Sequence, residues 1–139
     1  MILIDTNVLV ALVDERDGLR ARAARDLART RGRARFATRA VLAETLFLLS
    51  RAHHRERLRF LLARANVREV EGVGVDVDAI FDWLEEYGEH EPDFADAELV
   101  LLTEHRPGAC VWTYDREFWS TWRRKDGRRV PLFVEAPAR

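Results

Sequence analysis

Four carboxylates stand out by where they fall. Asp5 closes the apolar run Ile2-Leu3-Ile4, and Asp115 closes a second, Cys110-Val111-Trp112-Thr113-Tyr114. An ionised acid at the end of an apolar strand is costly unless something compensates it. Parallel α/β sheets bind ligands just outside the carboxyl ends of their strands, so two such acids can share one crevice. Glu44 is a lone charge in Ala40-Val41-Leu42-Ala43-Glu44-Thr45-Leu46-Phe47-Leu48-Leu49, a helix apolar nearly all round and hence expected to be mostly buried. Asp96 falls in the first turn of a helix that Asp93 caps. Taken singly, each has a plain structural explanation: an ion pair to one of the many Arg residues for Glu44, dipole decoration for Asp96. Taken together they read as one site, because clustered carboxylates raise one another's pKa unless a cation neutralises them. All-oxygen ligands suit Mg²⁺ or Mn²⁺, and such an ion can activate water and stabilise a phosphodiester transition state. His53, His54, His90 and His105 lack zinc spacing and read as surface residues. There is no Walker loop, Gly-rich fingerprint or Gly-x-Ser-x-Gly elbow.

These side chains need a scaffold, and the chain supplies alternating signals for one. Short apolar strands are predicted at Ile2–Ile4, Arg33–Ala37, Val67–Val70, Ala109–Thr113 and Val130–Val134. Between them lie helices: one capped by Asp17 and reaching about Arg31, with Gly32 past its end; one capped by Thr38 and reaching about Ser50; one marked by Leu58, Leu61 and Leu62; one capped by Asp76 and ending near Gly88; and one capped by Asp93. Strand–helix alternation argues for an α/β fold with a mainly parallel sheet covered by helices. The length fits one domain, residues 1–135, with a short frayed tail at 136–139.

A net charge of −1 conceals a strong segregation. Residues 1–68 carry +8, residues 69–105 carry −13 without a single Lys or Arg, and residues 106–139 carry +4. An acidic block between basic ones suits a metal site beside a polyanion-binding surface. Most of the Arg is read as the coat of solvated helices. The run Arg123-Arg124-Lys125-Asp126-Gly127-Arg128-Arg129 is read as nucleic-acid contact through Arg123, Arg124, Arg128 and Arg129. Trp119 and Trp122, three apart, are read as packing on the body or on a second subunit. The single cysteine, Cys110, excludes an internal disulfide. No run approaches a membrane span and the N-terminus makes a poor signal peptide, so a soluble cytoplasmic protein is expected.

The acids sit in motifs. Ile4-Asp5-Thr6-Asn7-Val8-Leu9 resembles the opening motif of PIN domains, Ala43-Glu44 the second, Phe94-Ala95-Asp96-Ala97-Glu98-Leu99-Val100 the third, and Thr113-Tyr114-Asp115-Arg116-Glu117-Phe118 the last. Each piece alone is weak; the ordered set of four over nearly the whole chain is fairly specific. The resemblance implies a three-layer α/β/α sandwich and Mg²⁺- or Mn²⁺-dependent hydrolysis of RNA. It implies Asp5, Glu44, Asp96 and Asp115 as metal ligands and catalytic acids, with Thr6, Asn7, Asp93 and Thr113 supporting them. Compact members of this size resemble the VapC-type toxins of toxin–antitoxin modules, which implies a homodimer and a small antitoxin partner. The alternatives are a PIN nuclease of RNA maturation and a catalytically silent PIN fold that binds RNA or protein. Retention of all four acids argues against the silent fold.

Overall fold

The computed structural model describes residues 1–70 and 74–136. Strand β1 (Ile2–Ile4) is apolar and buried on both faces, as a central parallel strand must be. It pairs in parallel with β2 (Arg35–Ala37) on one side and β4 (Cys110–Trp112) on the other, and β3 (Val67–Glu69) lies outside β2. The sheet order is therefore β3-β2-β1-β4. Seven α-helices among the described residues cover it: α1 (Thr6–Val13), α2 (Arg20–Arg29), α3 (Arg39–Leu48), α4 (Ala52–Arg64), α5 (Val77–Glu86), α6 (Phe94–His105) and α7 (Glu117–Ser120). Helix α1 packs on α2, α3 and α4, while α6 packs on α5 and against β4. The architecture is the expected α/β/α sandwich with a parallel sheet.

Several local expectations change. Helix α1 was not anticipated. Its sequence, Thr-Asn-Val-Leu-Val-Ala-Leu-Val, is apolar and β-branched without a clear period, and it is helical because Asp5 caps it, its carboxylate accepting the Thr6 N–H. Asp17 does not cap α2. Its carboxylate takes the Leu19 N–H in a preceding turn, and Leu19 occupies the cap position without a side-chain bond. That helix stops at Arg29, where the Thr30 hydroxyl donates to the Leu27 carbonyl, and Gly32 then turns the chain at φ +80°. Helix α3 is less buried than its composition suggests: Leu46, Phe47 and Leu48 are exposed and only Val41 and Thr45 are buried along it. It packs on α1 and α6, and the exposed side chains cluster in its last turn. The strand expected over Val130–Val134 is a single parallel bridge, Val111 to Leu132, made by Val111 N–H to Pro131 O and Phe133 N–H to Val111 O. Pro131 has no N–H with which to extend the ladder. Of the expected tail, residues 137–139 lie outside the described residues.

The caps of the helices that carry the acids form as anticipated. The Thr38 hydroxyl accepts the Val41 N–H at the start of α3, and Asp93 and Asp96 form a reciprocal capping box at the start of α6. Trp122 is buried, its ring against Trp83 and Tyr87, and Trp119 is half-buried against the core.

Candidate metal centre

Adjacent parallel strands bring the first and last acids together. Ile4 is in register with Trp112, so Asp5 follows one strand where Thr113 follows the other, and the Asp5 N–H donates to the Trp112 carbonyl at 3.0 Å. The Asp5 carboxylate is nearly inaccessible and takes three hydrogen bonds: from the Thr6 N–H at 2.7 Å, the Asn7 side-chain amide at 2.9 Å and the Thr113 hydroxyl at 2.7 Å. Thr113 Oγ1 also accepts the Asp115 N–H and the Asn7 amide, so one hydroxyl ties the ends of β1 and β4 together. The orientation of Asn7 is fixed by chemistry, because its Oδ1 accepts the Tyr114 backbone N–H at 2.9 Å and an N–H can only donate.

Glu44 comes from the middle of α3, held by the Thr6 hydroxyl at 3.0 Å. The start of α6 contributes Asp93 and Asp96. Asp115 caps the turn before α7, its carboxylate accepting the Glu117 N–H. Asp5, Glu44, Asp93, Asp96 and Asp115 line one cleft of about 230 Å³ together with Thr6, Asn7, Val10 and Leu48. Among the described residues, no basic side chain lines it. The electrostatic consequence is uniform. Burial, against the hydrogen bonds from Thr113 and the Thr6 N–H, pushes Asp5 up to about 7, with Asp115 and Glu44 adding repulsion. Asp96 is raised to about 8 by burial and then by the charges of Asp93 and Asp5. Glu44 is raised by burial and by Asp93, and Asp115 by burial and by Glu117 and Asp93. Asp93 is thus more than a helix cap, since it repels three of the four other cleft acids.

The donor set is all oxygen, which fits Mg²⁺ or Mn²⁺ and not zinc. Among the described residues, no three acid, His or Cys side chains already stand where they could grip one ion together. The hydrogen bonds explain the spacing, for Asp5, Glu44, Asp96 and Asp115 are each drawn to a donor on their own wall of the cleft. Mg²⁺ tolerates such a cleft because it keeps several waters and binds through one or two carboxylates.

The basic run is placed elsewhere. Arg123 pairs with Arg129 across a hairpin that turns at Gly127, and the Lys125 N–H is bonded to Glu104. Glu104 lies eight residues along α6 from Asp96, about 12 Å at the helical rise. Arg123 donates to the carbonyls of Trp122 and Ser120, and Arg128 pairs with Asp126. None of Arg123, Arg124, Arg128 and Arg129 lines the cleft. Sequence reasoning missed a buried anchor behind the site: the Tyr114 hydroxyl donates to Asp26 on α2 at 2.8 Å, with Arg22 and Arg29 paired to the same carboxylate. The signal was there, since Asp26 falls three residues after Ala23 on the inward stripe of α2.

A PIN domain family model matches residues 2–121. The chain belongs to the PIN domain family. No curated protein matches it by sequence. Among solved structures, this PIN domain is similar to VapC20 of Mycobacterium tuberculosis, described as a toxin that cleaves the sarcin-ricin loop. The two are 25% identical, the match covers 86% of this chain and 94% of that one, and the TM-score is 0.68.

Proposed function

We propose that this PIN domain is a Mg²⁺- or Mn²⁺-dependent endoribonuclease and the toxin of a toxin–antitoxin module. The observation that carries the reading is the cleft of five acids with no cationic side chain on its wall among the described residues. Asp5, Glu44, Asp96 and Asp115 hold the ion directly or through its waters, and Thr6, Asn7, Asp93 and Thr113 hold them in place. When bound, the ion supplies the Lewis acid and the water activation that phosphodiester hydrolysis needs. The chain's own part is to orient the carboxylates: Thr113 and Asn7 fix Asp5, Thr6 fixes Glu44, and the Asp93 N–H fixes Asp96. The likeness to a toxin described as cleaving the sarcin-ricin loop supports RNA as the substrate class, and the basic run at 123–129, which does not line the cleft, is proposed as a remote contact for it.

Two surfaces fit the expected partners. Phe47 is 82% exposed and shares an open apolar shelf with Ala40, Leu48 and Phe94, a face suited to a second copy of the chain. Leu12, Val13, Phe60 and Leu61 line a groove between α1 and α4, suited to the apolar anchor of an antitoxin whose basic tail enters the acidic cleft. No helix among the described residues is long and apolar enough to cross a membrane, and the cytoplasm, where RNA is found, is the proposed location.

The test is incubation of the purified protein with a panel of structured RNAs, with Mg²⁺ and with chelator, beside the Asp96→Asn variant. Discrete Mg²⁺-dependent cuts absent from the variant are expected. Cutting that survives both chelator and substitution would contradict the proposal. Cutting by a protein whose overproduction leaves growth unharmed would move it to RNA maturation.

A further inference from the structure

We propose that the substrate backbone leaves the acidic cleft along the groove between α1 and α3 and sets a neighbouring phosphate on Arg16 and Arg51, with His53 and His54 beside them. This rests on the nuclease reading above and adds a binding subsite to it.

The two helices keep step. Thr6 on α1 meets Glu44 on α3 by a hydrogen bond. One turn further, Val10 and Leu48 both line the acidic cleft. Beyond the last turn of each, Asp14 and Arg51 line a second pocket of about 410 Å³ together with Glu15, Arg16, His53 and His54. From Thr6 to Asp14 is eight residues, about 12 Å at the helical rise.

The charges of this second pocket differ in what they have to do. Asp14 accepts the Arg16 backbone N–H, and Glu15 is ion-paired with Arg57. The guanidinium groups of Arg16 and Arg51 are exposed and have no hydrogen-bond or ion-pair partner among the described residues. The rings of His53 and His54 meet at a tilt of 51°, their centroids 4.1 Å apart. An imidazole can donate an N–H to a phosphate oxygen whether or not it is charged. The acidic cleft thus offers carboxylates with no basic side chain among the described residues, and the second pocket offers two guanidinium groups paired with neither of its own carboxylates. A phosphodiester chain matches that order, with its scissile phosphate at the metal centre and a neighbour on the planar fork of an arginine. Leu48, between the two ends, offers an apolar floor for a sugar or base.

The experiment compares wild type with Arg16→Gln/Arg51→Gln on the RNA that wild type cuts, over a range of salt, with Mn²⁺ affinity measured alongside. A second double variant, Arg25→Gln/Arg59→Gln, removes the same charge from elsewhere on the surface. Arg16→Gln/Arg51→Gln is expected to raise KM about tenfold for the loss of charge-assisted bonds, with kcat and Mn²⁺ affinity unchanged. The salt dependence of kcat/KM should flatten by about 0.7 per lost contact. The control pair should keep the wild-type KM. An unchanged KM in Arg16→Gln/Arg51→Gln, or an equal change in the control, overturns the subsite alone. A wild type that cuts no RNA overturns the nuclease reading and the subsite with it.

Discussion

Asp96 is both a capping-box partner and a cleft acid, and the two roles pull in opposite directions. Its carboxylate satisfies the Asp93 N–H, yet burial and the charges of Asp93 and Asp5 raise it to about 8 from an ordinary 3.8. A group raised on folding stabilises the native state fully below its unfolded pKa and loses that contribution as pH climbs to the folded one. The metal-free protein should therefore lose stability between about pH 4 and pH 8. Asp96→Asn keeps an oxygen for the cap and removes the charge. Thermal melts of the metal-free variant should exceed wild type at pH 8 and converge with it near pH 4; a variant less stable than wild type at pH 8 would refute the repulsion. Thr113 works from outside the ligand set, through its bond to Asp5. Thr113→Val should weaken Mn²⁺ binding about tenfold or more, the usual cost of losing a partner of a ligand. Calorimetry giving an unchanged constant would remove Thr113 from the support. At this scale the sequence was informative about acids that interrupt apolar runs, and its motif pointed to Asn7 as a support, but it was silent about the Asn7 contact with the Tyr114 backbone, which depends on strand register.

At the scale of elements, β1 and β4 were legible because a continuous apolar run bounded by an acid has few other uses. Helix α1 was not, for the six apolar residues 8–13 without a period fit a strand as well as a helix, and the cap at Asp5 favours the helix. An all-round apolar pattern, as in α3, says that a helix needs covering and leaves open what covers it, so the exposure of Leu46, Phe47 and Leu48 could not be foreseen. The Thr38 cap holds the helix that carries Glu44. Thr38→Ala should cost about 1 kcal/mol in denaturant unfolding. A loss indistinguishable from zero would mean that α3 is held by packing alone.

Across the whole molecule, the cleft does not follow the segregated charge of the sequence: only Asp93 and Asp96 come from the acidic block, while Asp5, Glu44 and Asp115 come from the basic ones. The acids of the cleft come from the beginning, middle and end of the chain, gathered at the carboxyl edge of a parallel sheet whose order puts β1 beside β4. The fold class could be read from strand–helix alternation; the position of the basic run at 123–129 could not, because a hairpin tied to Glu104 is a long-range contact with no local signal. The exposed shelf around Phe47 makes a prediction at this scale. If the proposed homodimer forms through this shelf, Phe47→Asp should be monomeric in light scattering where wild type is dimeric, with Mn²⁺ binding retained, and an equal mass for the two would contradict a dimer contact here.

The central claim is that these acids form a metal centre, and calorimetric titration of Mn²⁺ at pH 7 in two buffers of different ionisation enthalpy tests it most directly. With Asp5 raised to about 7 and Asp96 to about 8, part of the cluster holds protons before the cation arrives. Binding should therefore release protons, the apparent enthalpy should differ between the buffers, and Asp96→Asn should lose most of that difference together with affinity. No binding, or binding with the same enthalpy in both buffers and in the variant, would contradict the account.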